Sequence, residues 1–394
     1  MPKSPIWPCS AILLVALVGM SFATAPAADP FEINVILPLT GPQTFQGVGS
    51  EQGLEGVQAL VNKSGGINGR PIRFVFEDDQ SIPALSVQLA NGLIAKKVAV
   101  IIGTAAAAGC GAILPLVTNG PVLYCQSPGL HPPPGSYAYS VNASSSDTTA
   151  GSVRYFRGRG FTRLAMITST DASGQDGEHG LDAALALPEN KDITIVDREH
   201  FGPNDISVSA QIAKIKASSA QAVLSWSTGT PTGTLLRDYT AGGVELPIVV
   251  GNGNSTYAQM HQYADFLPKD LYFADTPSLA PNEVTDRGVQ AALKLYFATM
   301  KDLGIKPDII QGTPWDSGLI IVDAFKKYGV DATAAQIHDY IDHLRGWTGI
   351  NGRYDFPAFP QRGLGPTSGS VIMARWDATL GTWVGVSKPG GDPI

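Results

Sequence analysis

A repeated alternation of short, β-branched apolar runs with stretches of helical spacing constrains this chain more than any other feature. Ile33 to Leu37 is strand-like, and Glu51 to Asn62 follows with Leu54, Val57 and Val61 near helical spacing. Ile72 to Phe76 opens a second unit, and Ala84 to Lys96 carries Leu85, Leu89 and Leu93 on one stripe. Val98 to Ile102 is apolar throughout, as a parallel strand covered on both faces requires. A helix over Gly109 to Val117 and a strand over Pro121 to Tyr124 extend the series. Such alternation means right-handed βαβ units, hence a parallel sheet with helices on both faces.

A second series starts near Asp147. Its expected helices are Thr149 to Arg159, a segment from Gly180 that stops before Pro188, Val208 to Ala217 and Thr232 to Ala241. Its expected strands are Leu164 to Ile167, Ile193 to Val196, Ala222 to Trp226 and Pro247 to Val250. Two series of domain size predict an α/β protein with two doubly wound parallel-sheet lobes. Glu283 to Leu344 reads mainly as helix, supplies no sheet of its own and should pack on an existing lobe.

The first residues point to export. Lys3 precedes the apolar run Ala11 to Met20, and small residues follow at Ala23, Ala25 and Ala27, the layout of a cleavable signal over residues 1–27. The run is too short to span a bilayer, and Cys9 precedes it, so no lipid anchor is expected. A soluble periplasmic protein is the expectation. Its net charge of −7, with Lys and Arg scattered rather than striped, argues against a nucleic-acid partner. Cys110 and Cys125 remain in the mature chain, and either a disulfide or two buried thiols is compatible with their spacing.

Signals for catalysis are poor. His131, His179, His200, His261, His338 and His343 are dispersed, with no His-Glu-x-x-His, Cys-x-x-Cys pair or Gly-x-Ser-x-Gly. Gly47-Val48-Gly49-Ser50-Glu51-Gln52-Gly53 approaches a dinucleotide loop, but its third glycine is one position late. A binding protein with no metal and no cofactor is expected. In parallel sheets ligands bind beyond the carboxyl ends of the strands. There the loops Leu39 to Gly47, Gly103 to Gly109 and Gln126 to Leu130 are rich in Gly, Ala and hydroxyl residues. The first two run into helices, whose free N–H groups favour an anion.

Pro38-Leu39-Thr40-Gly41-Pro42, Val61-Asn62-Lys63-Ser64-Gly65-Gly66-Ile67-Asn68-Gly69-Arg70-Pro71-Ile72 and the pair Asp78-Asp79 resemble the opening of periplasmic leucine/isoleucine/valine-binding proteins. The resemblance runs through nearly all of the mature chain. It implies a type I periplasmic-binding fold, with two lobes joined by a three-crossover hinge that closes on a ligand. On that pattern residues 28–143 and 276–353 form the first lobe, and 144–275 and 354–394 the second. It also implies a monomer that hands its solute to an inner-membrane ABC permease. A ligand sensor of the same fold is the alternative.

Carried over position by position, the resemblance puts Thr104, Ala105 and Ala106 where backbone N–H groups and a serine hold the ligand carboxylate, although the serine is missing. Ser127, Pro128 and Gly129 match the loop that meets the ammonium group, and Phe45 or Gln46 the covering aromatic. Thr228 and Gly229 lie where the family has a ligand-covering tyrosine. Asn252 and Asn254 fall in the loop that normally supplies an acid, and Gly251 to Ser255 contains none. Asp171, beside Ser173, either compensates or serves as a helix N-cap or turn. A buried ammonium without a counter-charge is costly. The expected ligand is therefore a hydrophobic or aromatic carboxylate without an amino group, with branched-chain or other apolar amino acids as the alternative. Tyr124, Phe45 and Trp226 suit such a cleft, and core packing suits them equally.

Overall fold

The computed structural model describes residues 1–4, 29–365 and 369–394. The expected signal segment falls almost wholly outside them. Two sheets organise the chain. The first is parallel, with strands β1 (Phe31–Leu37), β2 (Ile72–Asp78), β3 (Val100–Gly103), β4 (Val122–Cys125) and β5 (Ala138–Ser140) in the order β2-β1-β3-β4-β5. Helices α1 (Thr44–Lys63), α2 (Pro83–Ala95) and α3 (Ala107–Ile113) make its crossovers.

Side chains alternate between the two faces of a strand, so the central strands β3 and β4, covered on both faces, are apolar throughout. Val35, Ile102 and Tyr124 lie in register and face one core; Ile36, Ile101 and Leu123 face the opposite core. Each such strand is buried on both faces, and each fully buried Ile or Val contributes about 1.5–3 kcal/mol over an exposed one.

The second series gives α4 (Ser145–Gly158), β6 (Arg163–Ser169), α5 (Ala172–Leu185), β7 (Thr194–Phe201), α6 (Ser209–Ala217), β8 (Ala222–Trp226), α7 (Thr230–Ala241), β9 (Ile248–Val250), α8 (Tyr257–Gln262) and β10 (Leu271–Asp275). Then come α9 (Arg287–Asp302), α10 (Ile309–Tyr328) and α11 (Ala334–Asp342). Val289, Leu293, Trp315, Ile321 and Ile337 from these helices join the first lobe's core, so the helical portion docks there. A small hairpin of β11 (Arg345–Thr348) and β12 (Arg353–Asp355) follows. The chain ends with β13 (Ile372–Asp377) and β14 (Thr382–Gly385), which complete the second sheet in the order β14-β13-β10-β9-β8-β6-β7. The pairings of β13 with β10 and β14 are antiparallel.

Caps account for several boundaries that hydrophobic spacing placed late. α4 begins at a reciprocal box between Ser144 and Asp147, and α5 begins eight residues before Gly180 because Asp171 accepts the Gly174 N–H at 3.1 Å. The glycines of the dinucleotide-like run lie within α1. A Cβ on Gly53 would sit 2.3 Å from the Gln311 carbonyl and one on Gly49 2.7 Å from Ile310, so these positions let α1 pack closely against α10. Cys110 and Cys125 are joined in a disulfide, with Cα atoms 5.9 Å apart, which resolves the choice left open by their spacing.

Candidate functional site in the cleft between the lobes

Loops after β3 and β4 of the first sheet meet loops after β6, β8 and β9 of the second across a cleft, with the starts of α1, α5 and α10 completing its walls. The cleft holds about 880 Å³ of empty space, its open mouth included. The lobes touch over it: Gln46 Nε2 donates to the Gly253 carbonyl at 2.8 Å.

Of the sequence-predicted positions, Gln46, Ala105, Ser127, Pro128, Gly129, Asp171, Ser173, Thr228 and Asn252 line the cleft. The remaining six do not. Tyr124 follows the parity of β4 into the first core and is 1% exposed, packed against Tyr139. Phe45 is half-buried outside the wall, while its neighbour Gln46 turns in. Thr104 is fully buried behind the turn, with its methyl group toward Gly109, and Ala106 caps α3. Gly229 forms a lobe contact: with φ +81°, a Cβ there would lie 2.7 Å from the Pro42 carbonyl. Asn254 is a brace. Its Nδ2 donates to the Ser227 and Gly251 carbonyls and its Oδ1 accepts from Gly229 N and Thr232 Oγ1, ordering both loops that carry Thr228 and Asn252.

Asp176 is the principal residue that spacing did not single out. It lies on α5 one turn beyond Asp171, 7% exposed, and lines the cleft. His131 pairs with Oδ1, and Oδ2 is buried without a hydrogen-bond partner among the described residues. A Cβ on Gly129 would lie 3.4 Å from that oxygen, 3.6 Å from Ser127 Oγ and 3.3 Å from Ala107 Cβ, so α5 of one lobe and the loop after β4 of the other converge there. A signal was present: an acid sits beside the stripe Gly174, Gly177, Leu181 and Ala184 that buries α5.

Charge behind the wall is balanced. Arg362, 8% exposed, donates to the carbonyls of Val141, Asn142, Pro128 and Leu130, fastening the cleft floor. Burial lowers its pKa, and Asp147 and Asp176 oppose that shift. Asp171 carries two duties: its Oδ1 caps α5 and accepts from Ser169 Oγ at 2.7 Å, and the residue borders the cleft. At the start of α3, Ala107 and Ala108 line the wall with backbone N–H groups that no earlier turn can accept. Trp226, Ile309 and Ile310 supply apolar wall, and Gln43, Ser50, Gln126, Asn142, Ser145 and Thr313 supply polar wall. No group of His, Cys, Asp or Glu among the described residues is placed to hold a metal.

Two α/β lobes around a cleft lined from both sides define the architecture of a ligand-binding protein. Residues 30–379 match the periplasmic binding protein family, and the chain belongs to it. The family is one of binding proteins rather than enzymes. Leu/Ile/Val-binding protein homolog 3 of Brucella melitensis is 28% identical over 269 residues, covering 62% of this chain and 67% of that protein. Leu/Ile/Val-binding protein homolog 2 of Brucella abortus is 36% identical over 90 residues, 23% of each chain. An extracellular ligand-binding receptor from Rhodopseudomonas palustris superposes with TM-score 0.79 at 18% identity, over 91% of this chain and 99% of that one. The branched-chain amino acid transporter substrate-binding protein of Streptococcus pneumoniae, solved with isoleucine, gives TM-score 0.75 at 17% identity, over 90% and 98%. These structures share the type I fold of two parallel-sheet lobes.

Proposed function

We propose that this protein is the exported solute-binding component of an ABC importer of the branched-chain-amino-acid type, and that its solute is an amino-acid-like zwitterion. The buried, unpartnered Oδ2 of Asp176 in the cleft wall carries the choice of zwitterion. An ammonium group there gains the counter-charge whose absence from Gly251 to Ser255 favoured an acid without an amino group. The carboxylate of the same solute is assigned to the loop after β4, where Ser127 lines the wall. Ser127 Oγ accepts from Gly129 N at 3.4 Å, leaving its O–H to donate. The names of the Brucella relatives and the isoleucine in the Streptococcus structure agree with this class of solute.

Lobe boundaries at 143/144 and 275/276 are supported by sheet membership. Tyr354, Phe356 and Leu364 pack in the first core, which supports extending the first lobe beyond residue 353. The same solute transfer implies a signal peptide over residues 1–27 and a membrane permease as partner. A hydrophobic or aromatic carboxylate is the second reading, favoured by Trp226, Ile309 and Ile310 in the wall. Calorimetric titration with leucine, valine and benzoate separates the two. Binding of benzoate with no binding of either amino acid would overturn the zwitterion.

A further inference from the structure

Among the described residues Gln43 Oε1, on a half-buried cleft residue, is buried and unpartnered, and so are three acceptor oxygens on buried cleft residues: Gln46 Oε1, Asn142 Oδ1 and Asp176 Oδ2. Their residues are 3%, 1% and 7% exposed. Amide orientation is settled at both amides by the other end of the group. Gln46 Nε2 donates to the Gly253 carbonyl at 2.8 Å. Asn142 Nδ2 donates at 3.1 Å to Thr313 Oγ1, whose own hydrogen goes to the Ile309 carbonyl at 3.0 Å. Both amides therefore present oxygen, not nitrogen, as the unused group, and Asp176 oxygen accepts by its nature.

Buried polar atoms in folded proteins are nearly always paired, so three open acceptors along one wall call for donors from whatever fills the cleft. A solute that fills the cleft without offering donors leaves these acceptors unpaired, which costs binding free energy. One ammonium group serves Asp176. Gln46, on α1, and Asn142, at the crossover after β5, belong to other parts of the wall and need donors from elsewhere on the solute.

We infer that the solute carries N–H or O–H donors beyond its ammonium group, as an amide- or hydroxyl-bearing amino acid does, and that a purely aliphatic branched side chain is disfavoured. This deepens the zwitterion proposed above and rests on the solute occupying the same cleft. Ile309 and Ile310 then cover the aliphatic stem of the solute.

The test uses pairs of equal shape that differ in a donor, titrated calorimetrically into the mature protein: asparagine with leucine, threonine with valine, and 4-hydroxybenzoate with 4-methylbenzoate. The donor-bearing member should bind at least about tenfold tighter in whichever scaffold binds. Equal or tighter binding of the methyl-bearing member overturns the inference, as does binding of none of the pairs. Failure of the zwitterion is seen separately, as binding confined to the benzoate pair. Gln46→Met keeps the length of the side chain and removes Oε1; it should shrink the ratio within the binding pair toward one. An unchanged ratio there would remove Gln46 from the inference.

Discussion

Gln46 of α1 and Gly253 of the loop after β9 are joined across the cleft by an amide-to-carbonyl hydrogen bond of 2.8 Å, so one side chain of the first lobe is tied to the backbone of the second. Beside it Gly229 approaches the Pro42 carbonyl so closely that no Cβ fits. Both contacts exist only while the lobes are together. A solute favours that arrangement by its differential affinity for the closed state, and these contacts share the same equilibrium.

Gln46→Glu retains size but sets a carboxylate oxygen against the Gly253 carbonyl, and Gly229→Ala inserts a methyl group against Pro42. Each should open the solute-free protein and weaken affinity for the bound solute, by about tenfold or more for a lost and then repulsive contact. Small-angle scattering of the solute-free variants should show a larger radius of gyration. An unchanged radius together with unchanged affinity would deny these contacts a part in closure.

Asp171 and Asp176 should separate cleanly. Asp176→Asn removes the charge opposite the ammonium group and should lower affinity at least about 30-fold, with little change in melting temperature. Asp171→Ala removes the α5 cap and should cost about 1 kcal/mol in urea denaturation. The reverse pattern, with Asp171 controlling affinity and Asp176 controlling stability, would reassign the ammonium site.

The sheets and the helical portion were legible because strands buried on both faces and helices buried on one leave different periodicities. Val98 to Ile102 foretold β3, and Ala222 to Trp226 foretold β8. Cleft residues were legible only as loops. Whether a turn residue faces the cleft or the core depends on backbone torsion at that turn, and hydropathy does not encode it. So Gln46 turned in and Phe45 did not, and Thr104 lies buried behind Ala105. Tyr124 faces the core for a different reason: the parity of β4 sends it to the α10 side of the sheet. Hydrophobic spacing begins α5 only at Gly180, so its first turns read as loop and Asp176 carries no helical signal.

The Cys110–Cys125 bridge joins the start of α3 to the end of β4, the two places from which the Ala105 and Ser127 walls project. A loop of this length contributes about 3 kcal/mol in the chain-entropy account. Cys110→Ala with Cys125→Ala should lose roughly that much in urea denaturation and weaken solute binding as well. Full stability in the double variant, equal to that of the oxidised protein, would show that the packing around Leu130 suffices alone.

Stability should fall as pH rises from mildly acidic to alkaline, because of buried acids at the end of β10 and on α10 and its N-cap. Burial pushes Asp275 up to about 8; hydrogen bonds from Ser255 and the Thr276 N–H oppose this, and Asp308 adds repulsion. Burial also raises Asp308 and Asp316 to about 6. An unfolded Asp titrates near about 3.9, so between that value and the native ones the folded protein holds more protons than the unfolded chain. Unfolding free energy must then decrease with rising pH across this window, first through Asp308 and Asp316 and last through Asp275, with the loss complete above about pH 8. Asp275→Asn accepts from Ser255 Oγ without ionising and should flatten the upper part of the slope. Urea midpoints measured from about pH 5 to about pH 9 test this. A wild-type midpoint that rises over that range, or a variant with the same slope, would mean that Asp275 keeps its charge in the folded protein.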